Sequence, residues 1–173
     1  MAKVLITGGA GFIGSNLAEA LLNMGYEVVT LDLKKGKIKS HIIADVRDLN
    51  SVKSACRDVD YVFHLAAVTS PPEFEDPLSQ SYEINVMGTY NVLAASLSEG
   101  VKRVVIASSS SVYGNLNKPA KENDLPENYA NFYPLSKLIN ELTAKVFYNY
   151  GLETVTLRYF NVYGYEEEKG KYS

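Results

Sequence analysis

The chain has 173 residues, 46% of them hydrophobic and 21% charged, which is typical of one soluble globular domain. A formal net charge of -3 excludes the basic surface that nucleic-acid binding requires, and no apolar run approaches the roughly 18 residues of a membrane span. The single cysteine, Cys56, excludes an internal disulfide framework. Glycines interrupt the apolar N terminus and no cleavage site follows, so we expect a cytoplasmic protein.

Short apolar runs alternate with longer segments of helical periodicity along the chain. Because the apolar runs are continuous, we expect a parallel sheet with both faces covered. The alternation predicts an α/β fold with a Rossmann-type doubly wound sheet, forming one domain over residues 1–173. The predicted strands are 3–7, 26–32, 41–46, 60–66, 101–108 and 152–160. The predicted helices are 12–25, 48–57, 77–99 and 131–150.

A glycine-rich segment, TGGAGFIG at 7–14, connects the first strand to the first helix. It satisfies G-x-G-x-x-G through Gly9, Gly11 and Gly14. It also satisfies G-x-x-G-x-x-G through Gly8, Gly11 and Gly14. Glycine lets the chain turn sharply and pass close to a pyrophosphate, which the helix N-terminus attracts. The segment therefore predicts a dinucleotide-binding loop.

An acidic residue follows at the distance that such a loop requires. Asp32 lies 18 residues after Gly14, at the end of the second predicted strand, where a carboxylate can accept hydrogen bonds from the adenosine ribose. A carboxylate repels a 2′-phosphate, so we expect NAD rather than NADP. Three nearby lysines form a basic loop that would oppose this preference in part: Lys34, Lys35 and Lys37.

Tyr133 and Lys137, in YPLSK, share one face at the start of the last predicted helix. A phenol with a pKa near 10 is a poor base at neutral pH, and a neighbouring ammonium group favours the phenolate and lowers that pKa. The segment SSSSVYG, at 108–114, directly follows the fifth predicted strand. From the residues alone, its hydroxyls form either a solvated turn or a substrate contact.

Taken together, these segments resemble the extended short-chain dehydrogenase/reductases, in particular the N-terminal cofactor-binding part of the NAD-dependent sugar-nucleotide epimerase/dehydratases. The resemblance is greatest to their UDP-glucose 4-epimerase-like members. It implies an NAD cofactor, a nucleotide-sugar substrate and a homodimer, without nucleic-acid or membrane partners. Family members usually continue further, so it implies an NAD-binding domain truncated before the substrate-binding lobe. The motifs, in order, are TGGAGFIG, DVRD, HLAA, EINVMGT, SSSSVYG, YPLSK and RYFNVYG.

The resemblance also implies a role for individual residues. Ser109 matches the catalytic hydroxyl that bonds the reacting sugar oxygen, Tyr133 the catalytic base, and Lys137 the group that lowers the pKa of that base. No metal is implied, and His64 is expected only to pack. The implied substrate-binding residues are Ser109, Ser111, Tyr133 and Asn161. The implied cofactor-binding residues are Gly8, Gly11, Phe12, Ile13, Gly14, Asp32, Asp45, Val46, Leu65, Ala66, Ala67, Asn85, Tyr133, Lys137 and Phe160.

The residues after Ser109 bear on the reaction. Dehydratases of the family typically carry Asp-Glu there and decarboxylases a Glu at the second position, whereas this chain has Ser110 and Ser111. Because 4-epimerisation needs only one proton acceptor and one hydride acceptor, we expect a UDP-glucose/UDP-galactose-type 4-epimerase with a transient 4-keto intermediate. SPPEFEDP, at 70–77, resembles the decarboxylase loop and keeps that alternative open. Dehydratase, reductase and dehydrogenase chemistry, and a non-catalytic NAD-binding regulatory protein, also remain alternatives.

Overall fold

The computed structural model describes residues 1–69, 78–115, 118–125, 128–129 and 131–164. Within them, a six-stranded sheet is flanked by helices on both faces. A 3-10 helical turn, Ser110–Tyr113, follows the fifth strand. The strands are β1 Lys3–Thr7, β2 Glu27–Asp32, β3 His41–Ile43, β4 Tyr61–His64, β5 Arg103–Ser109 and β6 Glu153–Tyr159. The helices are α1 Phe12–Asn23, α2 Leu49–Ala55, α3 Leu78–Ser98 and α4 Phe132–Asn149.

The strand order is β3-β2-β1-β4-β5-β6, and every neighbouring pair is parallel. This is the Rossmann order, in which the chain reverses direction across the sheet between β1 and β4. Ligands of such sheets bind in the crevice beyond the carboxyl ends of the strands at this switch point. The predicted α/β fold is therefore confirmed. No described helix has both the length and the apolar sequence that a bilayer crossing needs.

The two faces of the sheet bury separate apolar clusters because successive strand residues point to opposite sides. Leu5 of β1 joins the larger cluster, which α2, α3 and α4 cover. Val4 and Ile6 join the smaller one, which Ala18 of α1 covers. In β6, however, Val155 and Leu157 remain 37% and 39% exposed. One face of this edge strand is therefore less covered by the described residues than the strands at the centre of the sheet.

Local signals in the sequence place the helix ends. Asp48 caps α2 by accepting from Asn50 N, and Asn131 caps α4 by accepting from Tyr133 N at 3.1 Å. Gly25 follows α1 with a φ of +86°, a left-handed conformation that glycine adopts without strain. The strands predicted at 41–46 and 60–66 end earlier, at Ile43 and His64, where the chain leaves the sheet toward its carboxyl edge.

Candidate functional site

The glycine loop is packed so closely that side chains do not fit. Gly8 has a φ of +73°, and a Cβ added to it would lie 2.7 Å from Ala66 N. A Cβ on Gly14 would lie 2.2 Å from the carbonyl oxygen of Gly8. The N-cap of α1 is Gly11, so no side chain occupies the first amides of this helix. The loop therefore fits a pyrophosphate, which needs close backbone approach and uncapped amides.

Asp32 lies at the end of β2 beside this loop, as the sequence predicts. Its Oδ2 accepts from Ala10 N at 3.0 Å, and its Oδ1 accepts from Lys34 N at 3.0 Å. The carboxylate is therefore held between the glycine loop and the segment that follows β2. Phe12 and Ile13 are half-buried in the first turn of α1, next to the same loop.

The segment predicted to contact adenine is engaged in the protein's own contacts. Asp45 binds the Arg47 guanidinium through Nε at 2.9 Å and Nη2 at 2.6 Å, and these hydrogen bonds lower the pKa of the Asp45 carboxyl. Val46 is buried, and its Cγ2 would lie 2.6 Å from a Cβ on Gly88 of α3. Contact between Val46 and a base would thus involve the backbone rather than the side chain.

The segment after β4 runs directly past the glycine loop. Leu65 N donates to Thr7 O at 3.1 Å, and Ala66 N donates to Thr7 Oγ1 at 3.4 Å. Leu65, Ala66 and Ala67 are half-buried there. The structure therefore brings this predicted cofactor segment together with Gly8.

Asn85 connects two parts of the candidate site. It is fully buried on α3, where its amide accepts from Val68 N at 2.9 Å and donates to Val68 O and to Ser136 Oγ. Asn85 thus joins the segment after β4 to α4, and its predicted contact with the cofactor stays a prediction.

Lys137 and Tyr133 lie together on α4, with the lysine Nζ 5.8 Å from the centroid of the tyrosine ring. The Lys137 amine is 4% exposed and donates to Ala107 O of β5 at 3.0 Å. Burial lowers the pKa of Lys137 to about 8. When protonated, this amine places a positive charge near the Tyr133 ring, and such a charge favours the anionic form of a neighbouring acid.

The four serines have different surroundings. Ser108 is buried and donates to Glu141 Oε1 at 2.5 Å. Ser109, at the end of β5, accepts from Ser111 N at 3.1 Å and so caps the 3-10 turn. The Ser111 hydroxyl is buried and has no hydrogen-bond partner among the described residues. A buried polar atom without a partner is uncommon, so Ser111 has capacity for a bond to a bound molecule.

Glu141 and Arg158 were missed by the sequence interpretation. The Arg158 guanidinium donates to Glu141 through Nε at 2.9 Å and Nη2 at 2.8 Å, and it lies 4.6 Å from the centroid of the Tyr113 ring. Burial would raise the pKa of Glu141, but hydrogen bonds from Arg158 and Ser108 outweigh it and lower that pKa. The available signal was spacing, since Tyr133, Lys137 and Glu141 recur every four residues of α4.

Phe160 and Asn161 follow β6 at the same edge of the sheet, and both are exposed. The Phe160 ring is 71% exposed and lies 6.3 Å from the ring of Tyr113 in the 3-10 turn. Phe160 therefore borders the corner formed by Ser109, the 3-10 turn and α4, and Asn161 is the next residue along the chain. His64, treated as a packing residue, is buried at the end of β4. It hydrogen-bonds Thr7 Oγ1 at 2.7 Å and Thr89 Oγ1 at 2.9 Å.

The sequence matches a family model described as Epimerase: NAD dependent epimerase/dehydratase family, over residues 4–173. The chain is 36% identical to a UDP-N-acetyl-alpha-D-glucosaminuronate decarboxylase of Bacillus cytotoxicus, over 99% of this chain and 58% of the relative. It is also 36% identical to a UDP-glucose 4-epimerase of Halalkalibacterium halodurans, over 93% of this chain and 51% of the relative.

Solved structures agree with these sequence matches. The UDP-glucose 4-epimerase of Thermus thermophilus in complex with NAD superposes with a TM-score of 0.88 and 36% identity, over 98% of this chain and 58% of that one. The chain thus spans about half to three-fifths of the length of these relatives. The family match from residue 4 onward agrees with the Rossmann sheet and with the glycine loop. The protein belongs to the NAD-dependent epimerase/dehydratase family, and its predicted cofactor, NAD, is the cofactor of that family.

Proposed function

We propose that residues 1–173 form the NAD-binding domain of a sugar-nucleotide 4-epimerase of the UDP-glucose/UDP-galactose type. One observation carries the choice of reaction: Ser109 is followed by Ser110 and Ser111, without a carboxylate, beside Tyr133 and Lys137. Family dehydratases and decarboxylases were expected to carry acidic residues at these positions. The corner therefore has one candidate proton acceptor, which is sufficient for epimerisation.

The neighbouring carboxylate does not change this argument. Glu141 contacts Ser108, next to Ser109, but its oxygens are occupied by Arg158 and the Ser108 hydroxyl. Its pKa is lowered, whereas a general acid at neutral pH needs a raised one. Glu141 therefore stabilises the corner and does not donate a proton to substrate.

In the proposed reaction, Ser109 donates a hydrogen bond that orients the sugar 4-oxygen. Tyr133, as phenolate, takes the proton of the 4-hydroxyl, and its position two residues after the N-cap of α4 adds the favourable field of a helix N-terminus. Lys137 keeps a positive charge against the phenolate and hydrogen-bonds the nicotinamide ribose. NAD, when bound, would supply a hydride acceptor that is regenerated in each catalytic cycle.

The glycine loop, Asp32 and the segment at 65–67 hold the cofactor in this proposal. Gly8, Gly11 and Gly14 would hold the pyrophosphate, and Asp32 would accept hydrogen bonds from the adenosine ribose. Two residues border the nicotinamide and the sugar: Phe160 and Asn161. Ser111 contributes its unpartnered hydroxyl to the substrate.

Uronic-acid decarboxylation is the second candidate. The Bacillus cytotoxicus relative is named a decarboxylase, and the SPPEFEDP segment resembles the loop of family decarboxylases. That segment, at 70–77, lies outside the described residues. A non-catalytic NAD-binding protein is disfavoured because Ser109, Tyr133 and Lys137 are all retained.

We also propose a cytoplasmic homodimer. Leu142 and Val146 of α4 are each 52% exposed, while Lys137, Glu141 and Ala144 of the same helix face inward and are buried. Two apolar side chains on the outer face support self-association through α3 and α4. Sedimentation of Leu142→Glu should give a monomer where the wild type gives a dimer, and a monomeric wild type would reject the proposal.

The reaction is tested with protein from the uninterrupted reading frame. UDP-galactose is added, anomeric signals are followed by NMR, and absorbance at 340 nm is recorded in parallel. UDP-glucose formed without accumulating NADH is the expected result. No epimer would reject this substrate pair, and release of carbon dioxide from a UDP-uronic acid would establish the decarboxylase instead.

A further inference from the structure

His41, the first residue of β3, lies between β2 and the loop that follows Asp32. Its Nδ1 is 2.7 Å from Thr30 Oγ1, and its Nε2 is 2.8 Å from Lys34 O. A carbonyl oxygen can only accept, so Nε2 carries the hydrogen and donates to Lys34. In the neutral ring, Nδ1 then accepts from the Thr30 hydroxyl. The imidazole thus connects a strand to the loop on either side of Asp32.

The loop folds closely around this ring. A Cβ added to Gly36 would lie 2.4 Å from His41 Nδ1, so the backbone passes directly against the imidazole. At its other end, Lys34 N donates to Asp32 Oδ1, and Asp32 Oδ2 accepts from Ala10 N. One series of contacts therefore runs from His41 through Lys34 and Asp32 to the glycine loop.

A second series reaches the glycine loop through Thr30. This residue is fully buried, and its Cβ would lie 2.4 Å from a Cβ added to Gly9. The Thr30 side chain therefore supports Gly9 with its carbon atoms and binds His41 with its hydroxyl. Both routes make His41 the residue that fixes the loop relative to the dinucleotide-binding turn.

We propose that His41 is a positioning residue that sets the preference for NAD over NADP, an inference that rests on the proposed NAD binding. By holding the Lys34 carbonyl, it keeps Asp32 directed at the adenosine ribose. It also keeps the exposed Lys34 and Lys35 on a backbone path that directs them to solvent. Without this bond, the loop relaxes, the carboxylate moves, and the lysines can approach a 2′-phosphate.

Two substitutions of His41 distinguish the contribution of Nε2 from that of Nδ1. Glutamine places its amide near the position of Nε2 and can still donate to Lys34, whereas asparagine reaches only the position of Nδ1. His41→Asn should lower the ratio of the NADP to the NAD dissociation constant about three- to tenfold, the range expected for one lost hydrogen bond. His41→Gln should keep the ratio within about twofold of the wild type.

The dissociation constants are measured by calorimetry on the full chain, with thermal melting to establish that each variant is folded. Ser40→Ala is the matched control: its side chain is exposed, and its carbonyl, which accepts from Thr30 N, is retained. Thr30→Val removes the hydroxyl while keeping the carbon atoms against Gly9. It should change the ratio by less than His41→Asn does, and it provides a folded test if His41→Asn unfolds.

The outcomes distinguish this inference from the proposed function. A wild type that binds neither dinucleotide overturns the proposed NAD binding, and this inference with it. A wild type that binds NAD, with His41→Asn weakening both dinucleotides equally or neither, overturns the inference alone. The same holds if His41→Gln lowers the ratio as much as His41→Asn.

Discussion

Two regions at the same edge of the sheet differ in what forms them: backbone in one and polar side chains in the other. The glycine-loop region, defined as β1, the start of α1 and the end of β2, is shaped by backbone, and added methyl groups would collide at Gly8 and Gly14. The Tyr–Lys corner, defined as the end of β5 with α4 and β6, is instead filled with buried polar side chains. These are Ser108, Ser136, Lys137, Asn140 and Glu141.

Substitutions are therefore expected to disrupt the glycine-loop region by steric collision and the Tyr–Lys corner by loss of an electrostatic partner. A collision in the glycine loop displaces atoms, whereas a lost partner in the corner leaves a buried group unsatisfied. The Lys137 amine is already costly, because burial lowers its pKa to about 8 and so penalises the protonated form that the proposed chemistry uses. A residue that lowers stability in this way is expected at positions that are retained for function.

The largest expected effect lies in the corner and concerns chemistry alone. Tyr133→Phe in the complete enzyme should lower kcat about a thousandfold, the contribution of a general base, because Tyr133 is the proposed proton acceptor. NAD affinity should stay within about twofold, since the ring and Lys137 remain. Steady-state kinetics and calorimetric titration of NAD measure the two quantities.

Tyr148→Phe is the matched control for this substitution. Tyr148 lies on the same helix and is exposed, so removing its hydroxyl should leave turnover unchanged. Retention of turnover in Tyr133→Phe would show that the base is another group.

The next effect concerns the ion pair of the corner. Glu141→Gln leaves the Arg158 charge without its carboxylate, and the two side chains are only 6% and 14% exposed. We expect the free energy of unfolding to fall by about 3 kcal/mol, as for other broken buried pairs. Urea denaturation measures the loss.

Glu153→Gln removes a carboxylate from the exposed pair with Arg103 and serves as control, with no measurable change expected. Equal stabilities of Glu141→Gln and Glu153→Gln would contradict the view that the buried pair of the Tyr–Lys corner stabilises the fold more than an exposed surface pair does.

A smaller effect is expected in the glycine-loop region. Gly14→Ala introduces a Cβ at 2.2 Å from Gly8 O, which forces the loop to move. The free energy of unfolding should fall by about 2 kcal/mol, as for an overpacked site, and NAD affinity should fall more than about tenfold. Denaturation and NAD titration of the same preparation give both values.

Gly25→Ala isolates backbone strain from collision. Gly25 has a φ of +86° and no atom within 4 Å of an added Cβ. Its substitution should cost about 1 kcal/mol of stability and leave NAD affinity unchanged. If Gly14→Ala also spared NAD affinity, the assignment of this turn as the pyrophosphate site would be wrong.

The last effect appears only on acidification and comes from His64, on the strand between the two regions. Burial, with a further contribution from the Lys137 charge, lowers its pKa to about 3. The unfolded chain protonates this group near pH 6.5, so below that pH the unfolded state binds the extra proton. The free energy of unfolding should therefore fall as pH falls from 6.5 toward 3, by at most about 1.4 kcal/mol per pH unit.

The comparison variant for this pH dependence is His64→Gln, which keeps an amide near Thr89 and loses the titration. Urea denaturation at pH 7.5, 6.5 and 5.5 should give parallel values for the two proteins above pH 6.5 and diverging ones below it. Parallel behaviour over the whole range would contradict the neutral, buried state of His64.

The sequence allowed the fold and the glycine-loop region to be predicted because both depend on local rules. Gly8, Gly14 and Asp32 lie within one strand–loop–helix–strand unit, where spacing determines geometry. The Glu141–Arg158 pair was not predictable in this way, because its members lie 17 positions apart, one on α4 and the other on the strand that follows it. Nor was the interior position of Asn85, since its partners Val68 and Ser136 come from opposite sides along the chain.

The spacing of Tyr133, Lys137 and Glu141 along α4 limits how the length of this helix can change. Lys137 bonds Ala107 and Glu141 bonds Ser108, so two successive turns of the helix contact two successive residues of β5. Deleting one residue between them would rotate the following turn by about 100°, so the two contacts could no longer form at the same time. Related proteins should therefore differ from this chain in loop lengths around α4, but not by insertions or deletions within it.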